Sequence, residues 1–149
     1  MKYTLYLILK FLVVLFIPCH SISQVSESLH FDHLSTADGL SYDKVRSIVQ
    51  DHTGFIWIAT ANGLNRYDGH RFKTFYSDFT DSSSLPDNRV VKLFTDSKKN
   101  LWICTRSGVS RYDPVSEKFE NFFPIYPDGV KSALVCNDII EINDEYFVA

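Results

Sequence analysis

The chain has 149 residues, room for one domain of ordinary size. Charged residues make up 22% and hydrophobic residues 45%, which excludes both a disordered tail and a bundle of membrane spans. A net charge of −3 at pH 7, with no run of Lys or Arg, argues against an extended surface for nucleic-acid phosphates, and nucleic acid is not an expected partner of this chain.

Aromatic residues reach 15%, which leans toward packed β-structure. Residues 1–23 read as an export signal. Lys2 gives a positive start, Leu5 to Ile17 is apolar apart from Lys10, and Ser21-Ile22-Ser23 places small residues at a cleavage point before Gln24. An uncleaved N-terminal anchor is the alternative for the same stretch. A lipid attachment at Cys19 is disfavoured by the preceding Pro18. Removal of the signal takes two Lys and leaves a charge of −5. The 3 Cys are too few for a disulfide scaffold or a zinc ribbon. Cys104 and Cys136, which remain after cleavage, are expected to be unpaired small apolar residues.

Residues 24–43 form a lead-in, in which Leu29 to Leu34 reads as an isolated strand of the kind that closes a ring. From Val45 onward the chain repeats itself at an offset of 45 residues. Val45 maps on Val90, Asp51 on Asp96, Trp57 on Trp102, Thr60 on Thr105, Gly63 on Gly108, and Arg66-Tyr67-Asp68 on Arg111-Tyr112-Asp113. A period near 45 is what a four-stranded propeller blade needs. Within residues 44–76, Val45 to Gln50 is a β-branched run that ends at an Asp-His-Thr-Gly turn. Phe55 to Thr60 is apolar at both parities, as in a strand buried on both faces. Leu64 to Tyr67 and Arg71 to Tyr76 supply the third and fourth strands. Residues 77–89, rich in Ser and Asp, make a crossover, and residues 90–123 repeat the four strands. A third repeat starts within 124–149: Asn137 to Ile142 resembles Asn88 to Leu93, and Tyr146 to Ala149 resembles Leu101 to Cys104.

The fold expected is therefore all-β, an incomplete β-propeller of two four-stranded blades and the start of a third. Propellers close with four to eight blades, and an open arc leaves apolar faces in water. Several hundred Å2 of lost burial per end costs on the order of 10 kcal/mol at ~25 cal/mol per Å2, so the chain is expected to be a piece of a larger ring.

The run Asp51…Gly54-Phe55-Ile56-Trp57-Ile58-Ala59-Thr60…Gly63-Leu64-Asn65-Arg66-Tyr67-Asp68-Gly69, with Phe31…Leu34-Ser35…Asp38-Gly39-Leu40-Ser41 ahead of it, resembles the two-component regulator propeller repeat. Cys104 and Lys99 depart from the pattern, where a small residue and a Gly are usual. The resemblance implies the periplasmic sensor of a hybrid two-component signalling protein. Its parent would be a histidine kinase anchored in the inner membrane of a Gram-negative bacterium and would sense oligosaccharides. The partners implied are the remaining propeller blades, the downstream sensor and kinase modules, a second copy in a homodimer, and an oligosaccharide ligand. The alternative is a structural or interaction module without signalling output, which completes its ring by self-association or with a partner chain.

No nucleophile elbow, zinc-protease motif, phosphate-binding glycine loop or Cys-x-x-Cys is present, so neither catalysis nor a cofactor is expected of this chain. His30, Asp32 and His33 would split between two strand faces, a poor metal set. Asp51/Asp96 and Asp68/Asp113 are read as turn caps in preference to calcium ligands. Trp57 and Trp102 are read as core between blades in preference to sugar-stacking platforms. The ligand-binding candidates lie on the loop face of the blades: Tyr42, Asp43, Asn62, Asn88, Arg89 and Arg106.

Overall fold

The computed structural model describes residues 29–123 and 135–149. The expected export signal at 1–23 lies outside them, as does most of the loop expected before the third repeat. Residues 33–149 form one compact unit, and of the preceding unit only Leu29–Asp32 is described. There His30 Nε2 stands 3.3 Å from Asp32 Oδ1 and both side chains are exposed. Leu29 to Leu34, expected as a ring-closing strand, is irregular backbone. A strand needs a neighbour for its N–H and C=O groups, and none of the described strands pairs with this stretch.

The first sheet is built from β1 (Val45–Gln50), β2 (Ile56–Thr60), β3 (Gly63–Tyr67) and β4 (Phe72–Phe75), antiparallel in chain order. The second repeats it with β5 (Val90–Thr95), β6 (Leu101–Thr105), β7 (Gly108–Asp113) and β8 (Lys118–Phe122). A separate hairpin follows, β9 (Ile139–Ile142) with β10 (Glu145–Val148). Its two-residue turn, Asn143 and Asp144, has φ of 52° and 64°, the left-handed pair that matches the twist of a tight hairpin. Both four-stranded sheets carry a bulge at the same place, between Val45 and Ser47 and between Val90 and Lys92.

Strand alternation sorts the side chains. In the first sheet Val49, Trp57 and Arg66 stand in register on one face, which continues through Ala59, Leu64 and Phe75. That face packs on Leu93, Leu101, Ile103, Tyr112 and Phe119 of the second sheet and forms the main core. The opposite face of the second sheet carries Trp102, Cys104 and Val109, which pack on Cys136, Ile139 and Tyr146. Each Trp thus faces the next unit along the chain, with Trp57 0% and Trp102 8% exposed. This is the interior position read from the doubly apolar strands.

The repeat reaches further back than the sequence match at Val45. Leu40 and Leu85 are both buried and occupy the same repeat position. The segment around Leu40 is the counterpart of the crossover around Leu85. Ser35 caps a short 3-10 turn, Thr36–Asp38, and Ser41 N–H then donates to the buried Asn65 Oδ1 at 3.0 Å.

The two cysteines expected to be unpaired are joined by a disulfide across a sequence separation of 32. Cys104 sits in β6 where the first sheet has Ala59, and Cys136 leads into β9 with its N–H donating to Thr105 O at 3.1 Å. The blade geometry brings their Cα atoms to 5.0 Å, within the span of a disulfide.

Candidate functional site

The recurring Asp residues are consumed by the fold. Asp51 Oδ1 accepts from Thr53 N–H at 2.9 Å, Thr53 Oγ1 at 2.6 Å and Phe55 N–H at 3.1 Å, while Oδ2 accepts from the Trp57 indole N–H at 2.7 Å. Asp96 repeats this with Asn100 N–H at 2.7 Å and Trp102 Nε1 at 2.8 Å, and adds Asn100 Nδ2 at 2.8 Å and the Tyr146 hydroxyl at 2.7 Å. Burial pushes the Asp96 carboxyl up, but the bonds from Trp102, Asn100 and Tyr146 outweigh it and hold its pKa at about 2. Asp51 is lowered in the same way. Asp68 takes His70 and Arg71 N–H at 2.7 Å each, and Asp113 takes Val115 N–H and Ser116 Oγ. Every one of these carboxylates is a turn cap, and the first pair also pins the tryptophans. Among the described residues no group of three or more His, Cys, Asp or Glu is placed to hold a metal ion.

The loop-face candidates divide into two kinds. Asp43 and Asn88 are spent on architecture. Asp43 accepts from Thr36 N–H at 2.8 Å and Thr36 Oγ1 at 3.2 Å. Asn88 accepts from Ser77 N–H through Oδ1 at 2.7 Å, and from Gly63 N–H through its carbonyl at 2.6 Å. Tyr42, Asn62, Arg89 and Arg106 keep exposed side chains. The two sheets meet at this end through Gly63 N–H, which reaches Asn88 O, and within the second sheet Arg106 N–H donates to Arg89 O at 3.3 Å.

One aromatic pair on this face escaped the sequence reading. Tyr76 follows β4 and lays its ring on the β2–β3 turn, where a Cβ added to Gly63 would lie 3.0 Å from it, at a φ of +109°. Phe123 does the same at Gly108. Only glycine gives the ring this approach, and Tyr76 stays 49% exposed. The available signal was an aromatic directly after Phe75 and again after Phe122.

With this geometry in place, three likenesses bear on identity. Residues 39–62 and 84–107 match the family profile described as "Two component regulator propeller". Each match runs from the crossover leucine through the two inner strands to the following turn. Histidine kinase P4 of Formosa agariphila is 37% identical over 65 residues, 44% of this chain and 5% of the relative. Two extracellular domains from B. thetaiotaomicron share the fold. The one ascribed to the hybrid two component system BT3049 is 34% identical with a TM-score of 0.61, and the alignment covers 72% of this chain and 15% of that one. The one ascribed to the hybrid two component system BT4673 is 25% identical with a TM-score of 0.60, over 71% and 15%. The chain spans only a small part of each protein it resembles. The two inner strands of each four-stranded sheet thus match the two-component regulator propeller repeat, twice in succession.

Proposed function

We propose that this chain is the N-terminal part of the periplasmic propeller sensor of a hybrid two-component signalling protein, which captures an oligosaccharide outside the inner membrane and so controls a histidine kinase inside. The observation that carries the reading is the pair of consecutive family repeats in a fold shared with extracellular domains of hybrid two component systems. The Cys104–Cys136 disulfide supports an oxidising compartment and hence export. Among the described residues no helix is long and apolar enough to cross a membrane. Ligand contact is assigned to Tyr42, Asn62, Arg89 and Arg106, with Tyr76 added, while Asp43 and Asn88 shape the loops that present them. Control of the kinase follows if the ligand binds one arrangement of the parent's domains more tightly than another. The coding sequence past codon 149 tests the assignment. A frame that continues through further propeller repeats into a kinase supports it, and a stop codon with no such frame overturns it.

A second reading, a structural arc completed by another chain, has its own observation. An apolar hollow of about 400 Å3, lined by Trp102, Val109, Phe122, Ile139, Tyr146 and Val148, lies between the second sheet and the β9–β10 hairpin. In the interface between the two full sheets the corresponding space is filled by Tyr112 and Phe119 from the third and fourth strands. Strands from the same longer polypeptide fill the hollow under the first reading, and strands from a partner under the second. The mass of the purified chain separates them, since a discrete oligomer that supplies a whole ring favours the second.

A further inference from the structure

The loop face carries a charge asymmetry that the linear sequence hides. Among the described residues Arg66, Lys73, Lys92, Lys98, Arg111 and Lys118 each stand beside a carboxylate. Of the cations left without one, Lys44, Arg46, Arg89 and Arg106 lie at a single end of the two sheets, where β1 and β5 begin and β6 turns into β7. All four side chains are exposed. Asp43 and Asp87, the carboxylates nearest these cations in the chain, accept from neutral donors and pair with none of the four. Asp43 caps Thr36, and Asp87 accepts from Arg89 N–H at 2.7 Å and from Ser107 Oγ at 3.0 Å. Arg46 is the residue left over at the β1 bulge, a device that re-aims a side chain out of the ladder. The backbone bond from Arg106 N–H to Arg89 O holds two guanidinium-bearing residues side by side. These four cations, none of them paired with a carboxylate among the described residues, outnumber the neighbouring Asp43 and Asp87 and leave a local excess of positive charge in a chain whose net charge is −3.

We infer that this end binds a polyanion, a free molecule carrying two or more carboxylate or sulfate groups on a polyhydroxylated frame. Arg89 and Arg106 make the forked contacts that a guanidinium offers to carboxylate or sulfate, and Lys44 and Arg46 steer the ligand in. The inference rests on the loop-face assignment above and adds the ligand's charge to it.

Calorimetric titration of the full chain with tetragalacturonate and with neutral maltotetraose tests it, at low and high salt. The expected result is binding of the acidic ligand, weakened by salt, with the neutral one at least about tenfold weaker. The R89Q/R106Q variant loses about tenfold for the acidic ligand with its melting temperature unchanged, because both side chains are exposed. Equal binding of the two ligands, lost in Y42A/N62A but untouched in R89Q/R106Q, overturns the polyanion and leaves the loop-face assignment standing. Acidic-ligand binding that neither variant changes, or binding of neither ligand by the folded chain, overturns both. Attachment to phosphatidylglycerol vesicles without binding of free tetragalacturonate overturns the free-ligand inference.

Discussion

The two interfaces of this molecule are built from the same repeat and held by different means. Between the first and second sheets, all the layers meet. Trp57 lies 4.6 Å from Tyr112 and 5.6 Å from Phe75, Phe75 lies 5.5 Å from Phe119, and Leu93 N–H donates to Ser47 Oγ across the inner strands. Between the second sheet and the β9–β10 hairpin, two strands cover Trp102 among the described residues. There a disulfide, the Tyr146–Asp96 bond and the Lys98–Asp144 pair at 2.8 Å do the holding, and an apolar hollow remains beside them. Aromatic packing fills the interface where four strands face four, with the Arg66–Glu117–Lys73 cluster at its side, and a covalent link is added where two strands face four.

Truncating the two tryptophans breaks this comparison most directly. Trp57→Ala removes a fully buried ring from a filled interface and is expected to cost about 4 kcal/mol in urea unfolding. Trp102→Ala enlarges a hollow that already exists, and should cost at least about 1 kcal/mol less. Equal losses would mean that the hollow is filled in solution.

Next in size is the disulfide. Closing a loop of this length contributes about 3.7 kcal/mol by restricting the unfolded chain. In C104A/C136A the β9–β10 amides should lose hydrogen-exchange protection while β1–β4 keeps theirs, since the first interface has no covalent tie. Loss of protection in β1–β4 to the same degree would show the two interfaces to be one cooperative unit.

Much of this was legible in the sequence, for a stated reason. The self-match at one offset fixed blade number, strand order and the inward tryptophans, because both faces of a middle strand must be apolar and two such strands recur. The Asp caps were legible because each Asp stands where a strand ends and a turn begins, next to backbone N–H groups that lack ladder partners. The Cys pairing was not, because Cys104 has Ala59 as its repeat counterpart, so nothing periodic marks it. Leu40 and Leu85 share the offset of 45, but the residues on either side differ, so a lone Leu match carried little weight until both proved buried. Among the loop-face candidates, the capping of Thr36 by Asp43 and the bridging by Asn88 depend on loop geometry that exposure rules cannot supply.

Acid should separate the interfaces as well. Asp96 titrates at about 2 when folded against an ordinary 3.8, so its contribution is fully present above about pH 4 and is lost as the pH falls toward 2. The shift corresponds to stability on the order of 2 kcal/mol. Asp51 anchors Trp57 in the same way but has no counterpart to the Tyr146 hydroxyl. Hydrogen exchange followed from pH 5 to pH 2 should therefore show the β9–β10 hairpin opening before the first interface, with that order abolished in Asp96→Asn (experimental range chosen about the two pKa values). A simultaneous loss would mean that Asp96 does not hold the hairpin.

The smallest effect tests whether the first interface is held by packing or by its one ionic cluster. Arg66 is 17% exposed, its guanidinium lies 4.5 Å from the Phe55 ring centre, and Nη1 reaches Tyr112 Oη at 3.0 Å and Glu117 Oε1 at 2.9 Å. Lys73 pairs with the same Glu117, so that carboxylate keeps a cation when Arg66 changes. Arg66→Lys preserves the charge and the stem but loses the flat stack on Phe55 and the bond from Nη1 to Tyr112, and should cost about 1 kcal/mol in unfolding. The loss should be insensitive to salt, because the positive charge facing Glu117 is kept and what disappears is stacking and a bond to the uncharged Tyr112 hydroxyl. A loss of several kcal/mol that shrinks with added salt would show that charge, and not aromatic packing, seats the first sheet on the second.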